Sequence, residues 1–445
     1  MKVIVAGAGL GGLGVAISLC MAGHEVHILE AAREIGEVGA GIQVLPNSSR
    51  VLRSWGLFDL LSRQTSSTDT CNILGWKGNL ISSMDFVAAE KEHNSPFWDF
   101  HRADLHKVLL DRALSLGARL HTQSEVMDIE FDESRSVATV KVKDRDDFVT
   151  DLVIGADGIN SRCRQILLGT NDKPKRTGDM AYRLLLDAKD IVSDEDLKSL
   201  VENKAVTYWY GPGAHVDNMP EEGPSTLQGY VDEMQDLFKE WDPRIGKLLA
   251  MCKSVLRWRL CIREPISTWV HPSSCLVLLG DAAHATLPYL ASGAGMTFED
   301  AAVLGECLAR IRSASSKEKK KALAVYELCR KQRTEAVVAR GTVQQDLNHL
   351  DDGPEQEARD RMMQEFEKIE VQGLPKQQVV LPESLKDGSD PLVWRRFGVG
   401  DWLFSYDCQR DVEEKWKMFE MVSSPPSTDC SYLASNGVVA EVNVR

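Results

Sequence analysis

At 445 residues the chain is too long for one ordinary domain, and its composition, 43% hydrophobic and 27% charged, is that of a globular protein with room for two or three cores. A formal charge of −14 at pH 7 excludes a general nucleic-acid footprint and a surface built to lie on anionic lipid, since both require clustered lysine and arginine. The ten cysteines contain no CxxC and make no metal-like pairing with the ten histidines, so free thiols in a reducing, cytoplasmic compartment and no metal site are expected.

A strand pattern begins at Lys2 with no basic leader or cleavage context, so Leu10 to Ala22, too short to span a bilayer, reads as the first helix of a fold. KVIVAGAGLGGLGVAISLCMAGHEVHILE has the order strand, glycine loop, helix, strand, with Gly23 ending the helix: a βαβ unit. GAGLGG puts Gly7, Gly9 and Gly12 at the GxGxxG spacing. Gly7 allows the tight turn, Gly9 lets the backbone approach a pyrophosphate, and Gly12 lets helix and strand pack closely. Glu30 ends the second strand at the distance expected for a carboxylate that accepts from a ribose diol. It would repel a 2′-phosphate, which favours FAD or NAD over NADP at this loop.

Ala103 to Leu116 reads as a helix, RLHTQSEVMDIEFD and SVATVKVK as antiparallel strands, and DLVIGADG as a buried strand running into Asp157 and Gly158. That dipeptide is either a plain strand-ending turn or part of a nucleotide site. From Asp179 to Trp258 aromatic, strand-like pieces such as YRLLLDA and AVTYWYG predict a second domain. CLVLLGDAAH returns to a buried strand, and Phe298 to Ile311 and Lys317 to Asp346 read as two long helices. The basic run Lys317 to Lys321 reads as a solvated helix face. Beyond Leu350 the chain is acidic, then Trp-rich, then Ser/Pro-rich, which predicts a helical extension with a loose tail.

GDAAHATLPYLASGAGM raises the question of a second glycine-rich loop. Asp281, at a strand end, is placed to hold a polyol, and Gly293, Ala294 and Gly295 open a helix whose free amides suit an anion. A flavin dinucleotide accounts for both loops: its ADP half takes the first, and its ribityl and ring half takes the second. A plain NAD-dependent dehydrogenase would leave the second without purpose. The expected fold is therefore α/β: a discontinuous Rossmann-like FAD-binding domain (1–70, 100–178, 264–345), an inserted mixed-sheet substrate domain (71–99, 179–263), and a helical C-terminal extension (346–445).

GAGLGG with Glu30, GADG at Gly155 to Gly158, and GDAAHATLPYLASGAG, in that order over Lys2 to Arg340, resemble the class A flavoprotein aromatic hydroxylases, the group of p-hydroxybenzoate and salicylate hydroxylases. The nearer likeness is to the FAD-dependent monooxygenases of fungal secondary metabolism. The resemblance implies an enzyme in which NAD(P)H reduces bound FAD, O2 adds as a flavin hydroperoxide, and one oxygen passes to a small aromatic substrate. It implies no nucleic acid, no membrane span, and a monomer or homodimer.

Residue by residue, the resemblance implies Glu30 on the adenosine ribose, Gly41 of EVGAGIQVLPN beside the flavin, and Arg102 of HRADL in contact with FAD. Asp157 would lie near the pyrophosphate and nicotinamide path, Asp281 at the ribityl or pyrophosphate region, and Gly293 to Gly295 against the ring. Arg183 corresponds to an arginine regarded as catalytic; otherwise Arg102 is a helix-start arginine and Arg183 a half-exposed strand arginine. His284 is structural in the family. Trp76, Phe97, Trp98, Tyr208, Trp209 and Tyr210 either line a flat pocket or belong to the core. One segment departs from the family: GPGAHV runs straight into DNMPEEGPSTLQGYVDEM, about one hairpin short, with Asn218 and Met219 near the place of a family tyrosine. The alternative is therefore a flavin-binding homologue or shortened form with impaired or uncoupled activity.

Overall fold

The structure is a computed structural model. It describes residues 1–36, 41–213, 226–373 and 389–423, together with 378–379, 381–382 and 385. Within the departing segment, residues 214–225, Asn218 and Met219 among them, lie outside the described residues, as does the tail after 423.

Five parallel strands form the central sheet in the order Leu276–Leu278, Leu152–Gly155, Lys2–Ala6, Glu25–Leu29, Arg119–His121. Parallel sheets are covered on both faces, so their strands are apolar throughout. Val3, Ile4, Val5, Leu152, Val153, Ile154, Leu276, Val277 and Leu278 are accordingly all fully buried. RLH, read from sequence as antiparallel, instead extends this parallel sheet beside Glu25–Leu29; only Val126–Asp132 and Val137–Val142 form the expected antiparallel pair. Helix Leu10–Met21 returns the chain across the sheet and packs on helix Gly293–Ala309. A Cβ at Gly305 would stand 2.4 Å from that of Ser18, so the close approach of these two helices requires glycine there.

The second half of the fold is built from two three-stranded sheets. Lys175–Arg183, Val255–Ile262 and Thr226–Gly229 are antiparallel, whereas Ala205–Tyr210 runs parallel to Thr70–Gly75, which pairs antiparallel with Leu80–Asp85. Arg183 is the last residue of its strand, and LLLDA continues outside it. A small antiparallel sheet pairs Gly41–Val44 and Ser66–Ser67 with Trp98–His101 between them. Of the sequence's candidate aromatics, Phe97, Trp98 and Tyr210 are buried core residues.

The long helix Ser316–Asn348 carries the basic run, and one of its lysines differs from expectation. Lys319 is fully buried, and its Nζ donates to Ser136 O at 2.7 Å and Asp151 O at 2.6 Å. The tertiary fold turns one face of this helix onto strand ends whose carbonyls need donors, so backbone carbonyls take the place of water around the Lys319 side-chain nitrogen.

Candidate functional site

The first cavity, of about 360 Å³, lies over the glycine loop and is lined in part by Gly9, Glu30, Ser124, Gly158, Asn160 and Arg162. Gly7 has φ +102°, and a Cβ there would meet Ala156 O at 2.5 Å; at Gly12 it would sit 1.9 Å from Gly7 O. Only glycine fits either position. A Cβ at Gly9 would meet nothing within 4 Å. That open space, against otherwise tight packing, fits a dinucleotide phosphate lying on the bare backbone. Helix Leu10–Met21 begins there with no side-chain cap, which leaves first-turn amides for an anion.

Glu30 is held by the loop it follows: Oε2 accepts from Ala8 N at 2.9 Å and Oε1 from Ala32 N at 2.8 Å. A carboxylate has lone pairs beyond those two, so a ribose diol still finds acceptors there. Asp157 is committed differently. Its Oδ1 accepts from Ser161 Oγ at 2.5 Å and its Oδ2 from Cys163 N at 2.9 Å, locking the turn into helix Arg162–Leu168. It lines the outer cavity and not the inner one.

The inner cleft, of about 400 Å³, joins the first at Gly9, Ala156 and Gly158. It brings together Gly41, Arg102, Arg183, Asp281, Gly293 and Ala294, six positions from five separate stretches of sequence. Gly295 is not among its lining: a Cβ there would meet Ser48 Oγ at 3.2 Å, so this glycine serves the packing of the cleft helix on helix Pro46–Ser54. Asp281 opens a short helical turn and is exposed to the cleft, although protein surrounds it. Desolvation pushes its carboxyl above the ordinary range, against the pull of His284 and Arg102. Arg183 lays its guanidinium 4.4 Å from the centroid of the Trp258 ring. Burial, then the neighbouring charge of Arg102, hold its pKa below the ordinary value. Two cations thus face one cleft, an arrangement suited to a developing or resident anion.

His284 is buried, and its Nε2 lies 2.6 Å from Asp300 Oδ2, which also accepts from Gly280 N at 3.1 Å; Arg330 Nε donates to Asp300 Oδ1 at 2.8 Å. This histidine fastens the GDAAH turn to the cleft helix. Glu299, one residue earlier, pairs with Arg330 at 2.7 Å and Arg333 at 2.9 Å and accepts from Asn47 at 2.7 Å. Arg333 also donates to Leu403 O at 2.9 Å, so the Trp-rich C-terminal stretch is bonded to the back of the cleft helix. Sequence reading missed this network and Gln43. Two signals were available: adjacent carboxylates inside the apolar run FEDAAVLGECLA, and arginines three apart on one helix face.

Among the described residues there is no group of histidine, cysteine or acidic side chains able to hold a metal, nine cysteines are free, and no helix is long and apolar enough to cross a membrane.

Residues 1–219 match the family model of the FAD binding domain. The chain is 36% identical over 387 residues, 82% of its length and 89% of the relative's, to FAD-dependent monooxygenase OpS4 of Beauveria bassiana. It is 32% identical over 358 residues, 76% of its length and 86% of the relative's, to the 3-hydroxybenzoate 6-hydroxylase of Klebsiella oxytoca. The fold matches the crystal structure of CtdE in complex with FAD and substrate 4 with a TM-score of 0.76 at 21% identity, covering 95% of this chain and 100% of that one. The chain belongs to the FAD-dependent monooxygenase family. Its cofactor is FAD, with NAD(P)H as reductant and O2 as co-substrate.

Proposed function

We propose that the chain hydroxylates a small phenolic or aromatic ring at the inner cleft, with FAD extended along the groove from Glu30 to Gly293. The observation that carries this reading is that the two cavities share Gly9, Ala156 and Gly158 in their linings, with a carboxylate in each, Glu30 outside and Asp281 inside. FAD reduced by NAD(P)H supplies the two electrons that split O2, one oxygen going to the ring and the other to water. The protein's part is to bind, orient and keep water out. Glu30 accepts from the adenosine ribose, the amides opening helix Leu10–Met21 face the pyrophosphate, and Asp281 holds the polyol. Gly41, Gly293 and Ala294 leave room for the ring, with Arg102 beside it. Arg183 stands on the substrate side, where its cation favours the phenolate form of a ring, the electron-rich form that accepts oxygen. Ile42, Leu287 and Pro288 supply apolar wall that excludes water.

An aromatic substrate is supported by the likeness to the hydroxybenzoate hydroxylase, and a role in secondary metabolism by the likeness to the Beauveria enzyme. A cytoplasmic enzyme accords with the free cysteines, and we propose a monomer or homodimer. The test is purification with an absorbance scan, then NAD(P)H consumption with and without a panel of phenols that includes 3-hydroxybenzoate. A flavin spectrum and phenol-dependent consumption are expected. A colourless protein, or consumption indifferent to every phenol, would overturn the reading.

A further inference from the structure

Strand Gly41–Val44 puts Gln43 in the lining of the inner cleft, and one hydrogen bond fixes its amide from behind. Tyr208, in strand Ala205–Tyr210 of the second half, donates its hydroxyl proton to Gln43 Oε1 at 2.7 Å. Asp99 stands directly opposite Gln43 in the antiparallel register and accepts from the Thr68 hydroxyl. The amide oxygen is thus turned to Tyr208, whereas an inverted amide would turn it toward the Asp99 carboxylate. Burial pushes the Tyr208 phenol well above its ordinary pKa, so it keeps the proton it donates. Tyr208 is backed by Trp394, ring centroids 5.7 Å apart, and the Trp394 indole donates to Leu290 O at 3.2 Å, in the turn that precedes the cleft helix.

An amide has two hydrogens and two lone pairs to offer, and one lone pair is used behind the wall. The others remain for whatever fills the cleft, held in a fixed direction at no further cost in rotamer entropy. We propose that Gln43 is a further ligand of FAD in this cleft and that Tyr208 is a positioning residue acting through it. The second half of the fold is thereby linked to the flavin through one hydrogen bond. The proposal rests on FAD occupying the inner cleft.

The dissociation constant of FAD, read from recovery of free-flavin fluorescence on dilution of the holoprotein, tests it in four proteins: wild type, Tyr208→Phe, Gln43→Ala and the double variant. Tyr208→Phe keeps the ring against Trp394 and removes only the donor. Each single substitution is expected to weaken FAD about two- to tenfold, the span of one net hydrogen bond, and to shift the visible flavin band. The double variant should be no weaker than Gln43→Ala. Unchanged affinity and band in Gln43→Ala would overturn the role of Gln43. Effects that multiply in the double variant would overturn the action of Tyr208 through Gln43, since a packing loss operates equally in both backgrounds. A wild-type protein isolated without flavin would overturn the functional reading, and the proposal with it.

Discussion

Asp281 and Arg183 face the same cleft with opposite charges, and the proposed function gives them different tasks. Asp281 stands where the turn after strand Leu276–Leu278 meets the cleft, and its replacement leaves the core of the sheet intact. Asp281→Ala removes a carboxylate acceptor, a loss of about 1.5–3 kcal/mol for hydrogen bonds to a charged group, or about one to two decades in affinity. The variant should leave a desalting column largely without flavin, which absorbance of the eluate will show. Full flavin content would mean that the inner carboxylate is not a cofactor ligand. Arg183 lies at the end of its strand and stacks on Trp258, outside the glycine loops. Arg183→Ala should therefore keep the flavin spectrum and lose hydroxylation, as assayed by product analysis. Lysine should restore little, since a compact ammonium cannot reproduce the planar guanidinium.

The elements around the cleft are joined by charges that no surface supports. Burial pushes the carboxyls of Glu299 and Asp300 upward, but their cations prevail and hold both below the usual range, Arg333 and Arg330 for Glu299, His284 and Arg330 for Asp300. Because the folded values lie below the unfolded ones, near 4, the unfolded chain takes up protons first as pH falls. The stabilisation is thus present above about pH 4 and is lost as pH falls through the depressed folded values. Urea midpoints for wild type and Glu299→Gln should differ at pH 7 and converge in strong acid. Arg333→Ala leaves Glu299 buried with one cation fewer, which should cost about 3–5 kcal/mol. It also removes the donor to Leu403 O, so limited proteolysis should cut first near the Trp-rich stretch.

At the scale of the whole molecule, the two halves share one cleft, and oxygen transfer competes with release of H2O2 wherever water enters it. The resemblance leads one to expect about one hairpin more after Val216. On the alternative reading of a shortened form, the chain as written should bind FAD yet oxidise NAD(P)H largely uncoupled, giving mostly H2O2 by peroxidase assay and little hydroxylated product. Insertion of a family-like hairpin after Val216 should move oxygen into product. Product formed mole for mole with NAD(P)H in the unaltered protein would show that other segments, Trp394 among them, close the cleft.

Much of this was legible in the chain itself. Glycine at 7, 9 and 12, apolar strands on either side, and Glu30 at the second strand end are local requirements of one βαβ unit, and local requirements leave a readable pattern. The second loop was legible for the same reason, because strand end, Asp281 and glycine-opened helix follow one another directly. What joins distant segments left only faint marks. Lys319 reads as solvated because its partners, the carbonyls of Ser136 and Asp151, are more than 160 residues away. Gln43 reads as an ordinary strand residue until strand Ala205–Tyr210 brings Tyr208 to it. Gly295 shares a motif with Gly293, yet helix Pro46–Ser54 claims it for packing. The sequence alone determined the two glycine-rich turns and the elements around them, since backbone geometry acts over a few residues. Which side chains meet across the cleft was decided only by the tertiary structure, because such hydrogen bonds and buried ion pairs depend on distances that no local pattern sets.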